Sequence, residues 1–201
     1  MAIPPFTVSW DYRCPFARNA HEHLVTALRG GADWDVTFAP FSLSQVHVAE
    51  GEPSVWDNPE KAPDLLAMNA GVVVRDRFPE KFLDAHEALF AARHDKSGDI
   101  REESVVRAAL EEAGVDADAV FAELSQPWPS DEVRKTHEWE VATHQMFGVP
   151  TFVVDDQAVF VRLMHRPKGD ADLAKATIEQ VVHLIVTSPE LNEFKHTAVR
   201  R

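Results

Sequence analysis

With 201 residues, 45% of them hydrophobic and 26% charged, the chain has a globular composition with room for one sizeable domain, or a small one carrying a large insertion. Its 33 acidic residues against 20 basic ones give a net charge of −13, which argues against nucleic acid as a partner, since a phosphate binder needs a basic face. No apolar run approaches the ~20 residues of a membrane helix. The start Met1-Ala2-Ile3-Pro4-Pro5 lacks the basic region and apolar core of an export signal, and one cysteine allows no internal disulfide, so the expected home is the cytosol.

Phe6, Val8, Trp10 and Tyr12 alternate with smaller or polar residues, which predicts a strand over 6–12. The pattern breaks at Cys14-Pro15 and resumes as an amphipathic helix to about Leu28, with Gly30-Gly31 as its stop. Trp34 to Phe41 alternates again and predicts a second strand. Strand, helix and strand in so short a span form a right-handed βαβ unit, hence a parallel pair in an α/β sheet. Residues 42–60 read as a loop with one short helical turn. From Lys61 to Phe147 only helices are expected: 64–74, 80–94, 101–113, 116–124 and a last one to about Met146, with Ser130 and Asp131 as its caps. Gly148 is the expected end of that helix. Thr151 to Val154 and Ala158 to Met164 predict a hairpin around Asp155-Asp156-Gln157, so this part of the sheet is antiparallel. A helix over 170–187 and a polar surface tail, 188–201, complete the chain.

Pro15 suits the first helical position, where its missing N–H costs nothing. Cys14 then falls at or beside the N-cap, its sulfur over the unpaired amides of the first turn. The helix dipole and the neighbouring Arg13 are both expected to lower its pKa and raise the thiolate fraction. The plainer alternative is a buried cysteine at a strand end. A Val149–Pro150 bond directly before a strand is a candidate for the cis isomer, although an ordinary trans, strand-starting proline also fits the residues.

The order of elements and two local motifs carry a resemblance. Cys14-Pro15-Phe16-Ala17, between first strand and first helix, resembles the Cys-Pro-X-Cys redox motif of the DsbA-like thioredoxin superfamily. Gly148-Val149-Pro150-Thr151, before the hairpin, resembles its cis-proline loop. Among members, the cytosolic group with the mycothiol-dependent nitroreductases is most similar, and the tail Pro189-Glu190-Leu191-Asn192-Glu193-Phe194-Lys195 is similar to theirs. Kappa-class glutathione transferases and hydroxychromene carboxylate isomerases are more distant. The resemblance implies an α/β thioredoxin fold with a helical subdomain after the second strand. Residues 1–41 and 147–187 would form the core, 42–129 the insertion, and about 130–146 a helix packing on the core.

Ala17 stands where dithiol members keep a resolving cysteine, so an internal disulfide cycle is excluded. Monothiol chemistry is expected instead. Cys14 attacks a disulfide, or is oxidised by peroxide to a sulfenate, and an external small thiol such as mycothiol or glutathione releases it. No tightly bound cofactor is expected, and the partners are a small thiol or oxidised substrate. Pro150 shapes the groove, and Pro15, Phe16, Val149 and Trp10 are candidate substrate contacts. Arg166, in the basic group with Arg162, His165 and Lys168, is a candidate for binding a thiol's carboxylates. His21-Glu22-His23 and the pair His137 and His144 are weak metal candidates, because neither spacing brings two imidazoles to one ion. His137 and His144 instead mark a helix face, with two readings: a wall of the cleft over Cys14, or plain surface. Two further readings stay open: a kappa-type thiol-dependent transferase or isomerase, and a binding module without chemistry.

Overall fold

The computed structural model describes residues 3–196 and Ala198; Met1, Ala2 and, of the expected tail, Thr197 and residues 199–201 lie outside the described residues. Strand β1 (Phe6–Trp10) is central in a four-stranded sheet of order β2-β1-β3-β4. It pairs in parallel with β2 (Val36–Pro40), Phe6 opposite Val36 through Trp10 opposite Pro40, and antiparallel with β3 (Thr151–Val154). β4 (Gln157–Phe160) closes the hairpin with β3. Val8, Ser9 and Trp10 are buried in succession, so both faces of β1 are covered.

Between β1 and β2 runs α1 (Pro15–Arg29), which packs on the last helix, α8 (Ala171–Thr187). The insertion follows β2. It comprises α2 (Leu43–Val46), α3 (Ala62–Arg77), α4 (Phe82–His94), α5 (Glu103–Glu112), α6 (Ala117–Leu124) and α7 (Trp128–His144). The apolar side of α3 (Leu65, Met68, Val72, Val73) is buried at its centre. α7 packs on both α3 and β2 and so ties the insertion to the sheet. Among the described residues no helix is long and apolar enough to cross a membrane.

Three local expectations are corrected. α7 begins at Trp128, with Pro129 in its first turn, so Ser130 and Asp131 lie inside the helix and do not cap it. A proline there removes only an N–H that had no partner. The helix ends at Gln145, which takes the left-handed conformation (φ 54°), three residues before Gly148. β4 stops at Phe160 because the chain then crosses α1: the Leu163 carbonyl accepts the Asn19 amide and the His165 carbonyl pairs with His23 Nε2.

A buried polar chain joins insertion to core. His21 Nε2 lies 3.0 Å from the Ser9 carbonyl, His21 Nδ1 2.9 Å from His86 Nε2, and His86 Nδ1 2.8 Å from the Tyr12 hydroxyl. Burial pushes the His21 pKa down to about 4 and that of His86 well below its ordinary value, so both rings are neutral. The Ser9 carbonyl can only accept, which fixes every donor in turn: Tyr12 to His86, His86 to His21, His21 to Ser9. Tyr12 reaches α3 at Gly71, where a Cβ would lie 2.4 Å from its hydroxyl oxygen. Only glycine leaves that space.

Candidate active site

Cys14 is the N-cap of α1, in extended conformation (φ −89°, ψ 118°), and its Sγ accepts the Ala17 N–H at 3.4 Å. On its other side the thiol donates to the Val149 carbonyl at 3.2 Å. The residue is 8% exposed. Burial pushes the Cys14 thiol up from its ordinary value. The amides of Ala17 and Phe16 pull it down by less, and the Asp11 carboxylate adds to the rise. The expected lowering by the helix end is therefore reversed. The helix amides are in place, but desolvation outweighs them, and a carbonyl acceptor favours the protonated sulfur.

Arg13 does not face the sulfur. Its Nε and Nη2 lie 3.3 and 3.0 Å from the two oxygens of Asp11, whose Oδ1 also accepts the Arg13 amide. Asp11, 2% exposed, accepts the Leu43 amide at 2.8 Å as well, and its carbonyl accepts the Cys14 amide at 3.0 Å. Asp11 is the residue that sequence reasoning missed. The only local signal was an Asp two residues ahead of a turn amide.

The Val149–Pro150 peptide bond is cis. The Val149 carbonyl, a candidate substrate contact, faces Cys14 and is occupied by its thiol. Thr151 donates its amide to Ser9 Oγ at 2.9 Å and its hydroxyl to the Gly148 carbonyl at 2.8 Å. The Pro150 carbonyl accepts the Val161 amide at 3.0 Å. Pro15 is exposed and Phe16 half-buried in the first turn of α1, with the Arg162 guanidinium 5.5 Å from the Phe16 ring.

Two other candidates lie elsewhere. Trp10 is fully buried among Tyr12, Phe82 and His86, a core residue and not a wall of the cleft. Arg166 is held by Glu22 at 2.5 Å and by Asp95 at 3.1 Å in the groove between α1 and α4, so its charge is already matched there. His144 pairs with the buried Glu140 at 2.7 Å. His137, 4% exposed, lies against Phe41 and Trp56, and its Nδ1 has no partner among the described residues. Burial lowers its pKa to about 4. It lines a cavity of about 280 Å³ between residues 45–57 and α7. Among the described residues no group of three His, Cys, Asp or Glu is placed to hold a metal ion.

A cysteine capping the helix after the first strand, a helical insertion after the second, and a cis-prolyl loop entering an antiparallel hairpin define a thioredoxin-type domain with a helical subdomain. The chain belongs to the family of DSBA-like thioredoxin domains, whose family model matches residues 7–165. The Mycobacterium tuberculosis protein Rv2286c, itself uncharacterized, is 28% identical over 82% of this chain and 70% of its own length. Among solved structures, Pseudomonas aeruginosa DsbA is similar with a TM-score of 0.56 and 17% identity, over 93% of this chain and 92% of that one. A 2-hydroxychromene-2-carboxylate isomerase is similar with a TM-score of 0.61 and 16% identity, over 94% and 99% of the two chains.

Proposed function

We propose that this chain is a monothiol oxidoreductase that uses Cys14 with an external low-molecular-weight thiol. The observation that carries the reading is the placement of Sγ between the Ala17 amide and the Val149 carbonyl, in a family whose dithiol members carry a second cysteine at the position of Ala17. The Cys14 proton leaves to solvent, and the amides of Ala17 and Phe16 hold the resulting thiolate. Sγ attacks one sulfur of a disulfide; the S–S bond breaks, a Cys14 mixed disulfide forms, and the other half departs as thiolate. A small thiol, mycothiol or glutathione, then attacks the mixed disulfide as its own thiolate, regenerating Cys14 and leaving with the retained half as a new disulfide. Once Sγ is in a disulfide, the Val149 carbonyl loses its donor and is free to accept an N–H of the bound partner. A high thiol pKa keeps the thiolate fraction low at neutral pH but makes each thiolate more nucleophilic. The cycle needs no tightly bound cofactor and suits a thiol-rich cytosol.

Mass spectrometry after incubation with mycothiol disulfide or glutathione disulfide tests this. The expected result is one thiol adduct on Cys14, removed by excess thiol and absent from Cys14→Ser. Turnover by Cys14→Ser would overturn it in favour of a kappa-type transferase or isomerase. An unreactive Cys14 would leave a binding module.

A further inference from the structure

Of the arginines on α1 and the loops around Cys14, most are already matched. Arg13 is answered by Asp11 at 3.0 Å, Arg18 by Asp95 at 2.9 Å, and Arg166 by Glu22 and Asp95. Arg162 is exposed and has no hydrogen-bond or carboxylate partner among the described residues. Its guanidinium lies instead over two rings, 5.5 Å from the centre of Phe16 and 6.0 Å from that of Phe160.

Each ring belongs to one side of the sulfur. Phe16 is in the first turn of α1, and its amide is one of those that pull the Cys14 pKa down. Phe160 stands opposite Thr151, with its ring beside Gly148, where an added Cβ would lie 3.4 Å from it. The next residue, Val161, donates its amide to the Pro150 carbonyl. Arg162 therefore spans from the helix end to the cis-prolyl loop, the same two elements that hold Sγ. Rings that take the face of a guanidinium leave its edge N–H groups free, and that edge suits a carboxylate or sulfonate. The acidic turn Asp155-Asp156 does not compete, because it closes the opposite end of the hairpin, where Val154 meets Gln157.

Resting on the monothiol reading, we infer that Arg162 sets charge specificity in the attack step, so that the substrate Cys14 attacks is a small organic anion. Its negative group pairs with Arg162 while its sulfur meets Sγ. Arg162 selects the compound attacked and not the thiol that later releases it: once the first half is held on Sγ, its own anion occupies the guanidinium. The preference runs against the chain's net charge of −13, which at long range repels anions.

Stopped-flow modification of the full chain with 2-sulfonatoethyl, 2-aminoethyl and methyl methanethiosulfonate reads the attack step alone. In each case Sγ attacks the sulfenyl sulfur, the S–S bond breaks, methanesulfinate leaves and a mixed disulfide stays on Cys14. Each rate is divided by that reagent's rate with 2-mercaptoethanol. The sulfonate should then exceed the ammonium by about fivefold or more at low salt, the uncharged reagent falling between them, and the ratio should shrink in about 0.5 M sodium chloride. Arg162→Gln should lower the ratio at least about threefold, and Arg162→Lys should restore part of it. Lys175→Ala, which removes a cation on α8, should leave it unchanged. An ammonium reagent as fast as the sulfonate, or a sulfonate preference that survives Arg162→Gln, would overturn the inference. If the glutathione and mycothiol disulfides form adducts while no charge preference appears, the Arg162 assignment fails and the monothiol reading stands. An Arg162-dependent preference without an adduct from either disulfide supports the assignment and overturns the thiol cycle. A Cys14 that none of the reagents modifies overturns both.

Discussion

The insertion meets the sheet along two seams that use the same residue type to opposite ends. On the α1–α4 side, His21 and His86 are sealed into a chain in which each hydrogen has one acceptor, from Tyr12 to Ser9. On the α2–α7 side, His137, 4% exposed, lies against Phe41 and Trp56, and its buried Nδ1 has no partner among the described residues. A satisfied buried network fixes one geometry. A buried polar atom left without a partner costs about 1–3 kcal/mol.

Mutations at the two seams should differ most. His86→Ala removes two hydrogen bonds and the ring packed against Trp10, Tyr12 and Phe82, so urea denaturation should show a loss of about 3–5 kcal/mol. His137→Phe keeps the contact with Phe41 and removes the unpartnered nitrogen, so it should be neutral or stabilising by up to about 1 kcal/mol. Equal losses at the two sites would break the contrast.

Acid is the next lever. The His21 pKa is depressed to about 4, so its stabilising contribution is complete above the ordinary histidine pKa and is lost as pH falls through the folded value. Denaturation curves from pH 7 down to 4 should lose about 3 kcal/mol from this residue. A smaller effect is expected from Gly71→Ala, which drives a methyl to 2.4 Å from the Tyr12 oxygen and should cost about 2 kcal/mol in the same assay. Smallest is Asp11→Asn. Burial is the main cause of the raised Cys14 pKa, so removing the smaller addition from the Asp11 charge should speed iodoacetamide alkylation at pH 7.5 by no more than about twofold.

The features legible in the sequence were those set by neighbours along the chain. Cys14-Pro15 at a helix start follows from proline's fixed φ and missing N–H, and the hairpin follows from alternation around Asp155-Asp156. What escaped was set by partners far away. His21, read from the sequence only as part of a weak metal candidate, owes its place in the core to His86, which lies 65 positions on in α4. Asp11 gains its place from Leu43, and Arg166 its partners from α1 and the end of α4. The Cys14 shift was misjudged for the same reason. The first-turn amides are local, but the desolvation that outweighs them needs the 149–150 loop folded over the sulfur.

That overlying loop also sets a limit on shape. In a cysteine 8% exposed, a sulfur with a carbonyl on one flank and a helix end on the other can be approached only along a narrow line. Slim electrophiles such as hydrogen peroxide or methyl methanethiosulfonate are therefore favoured over bulky aromatic disulfides, relative to their rates with an unhindered cysteine. Reagent girth, ahead of reagent chemistry, should then set how fast Cys14 is modified.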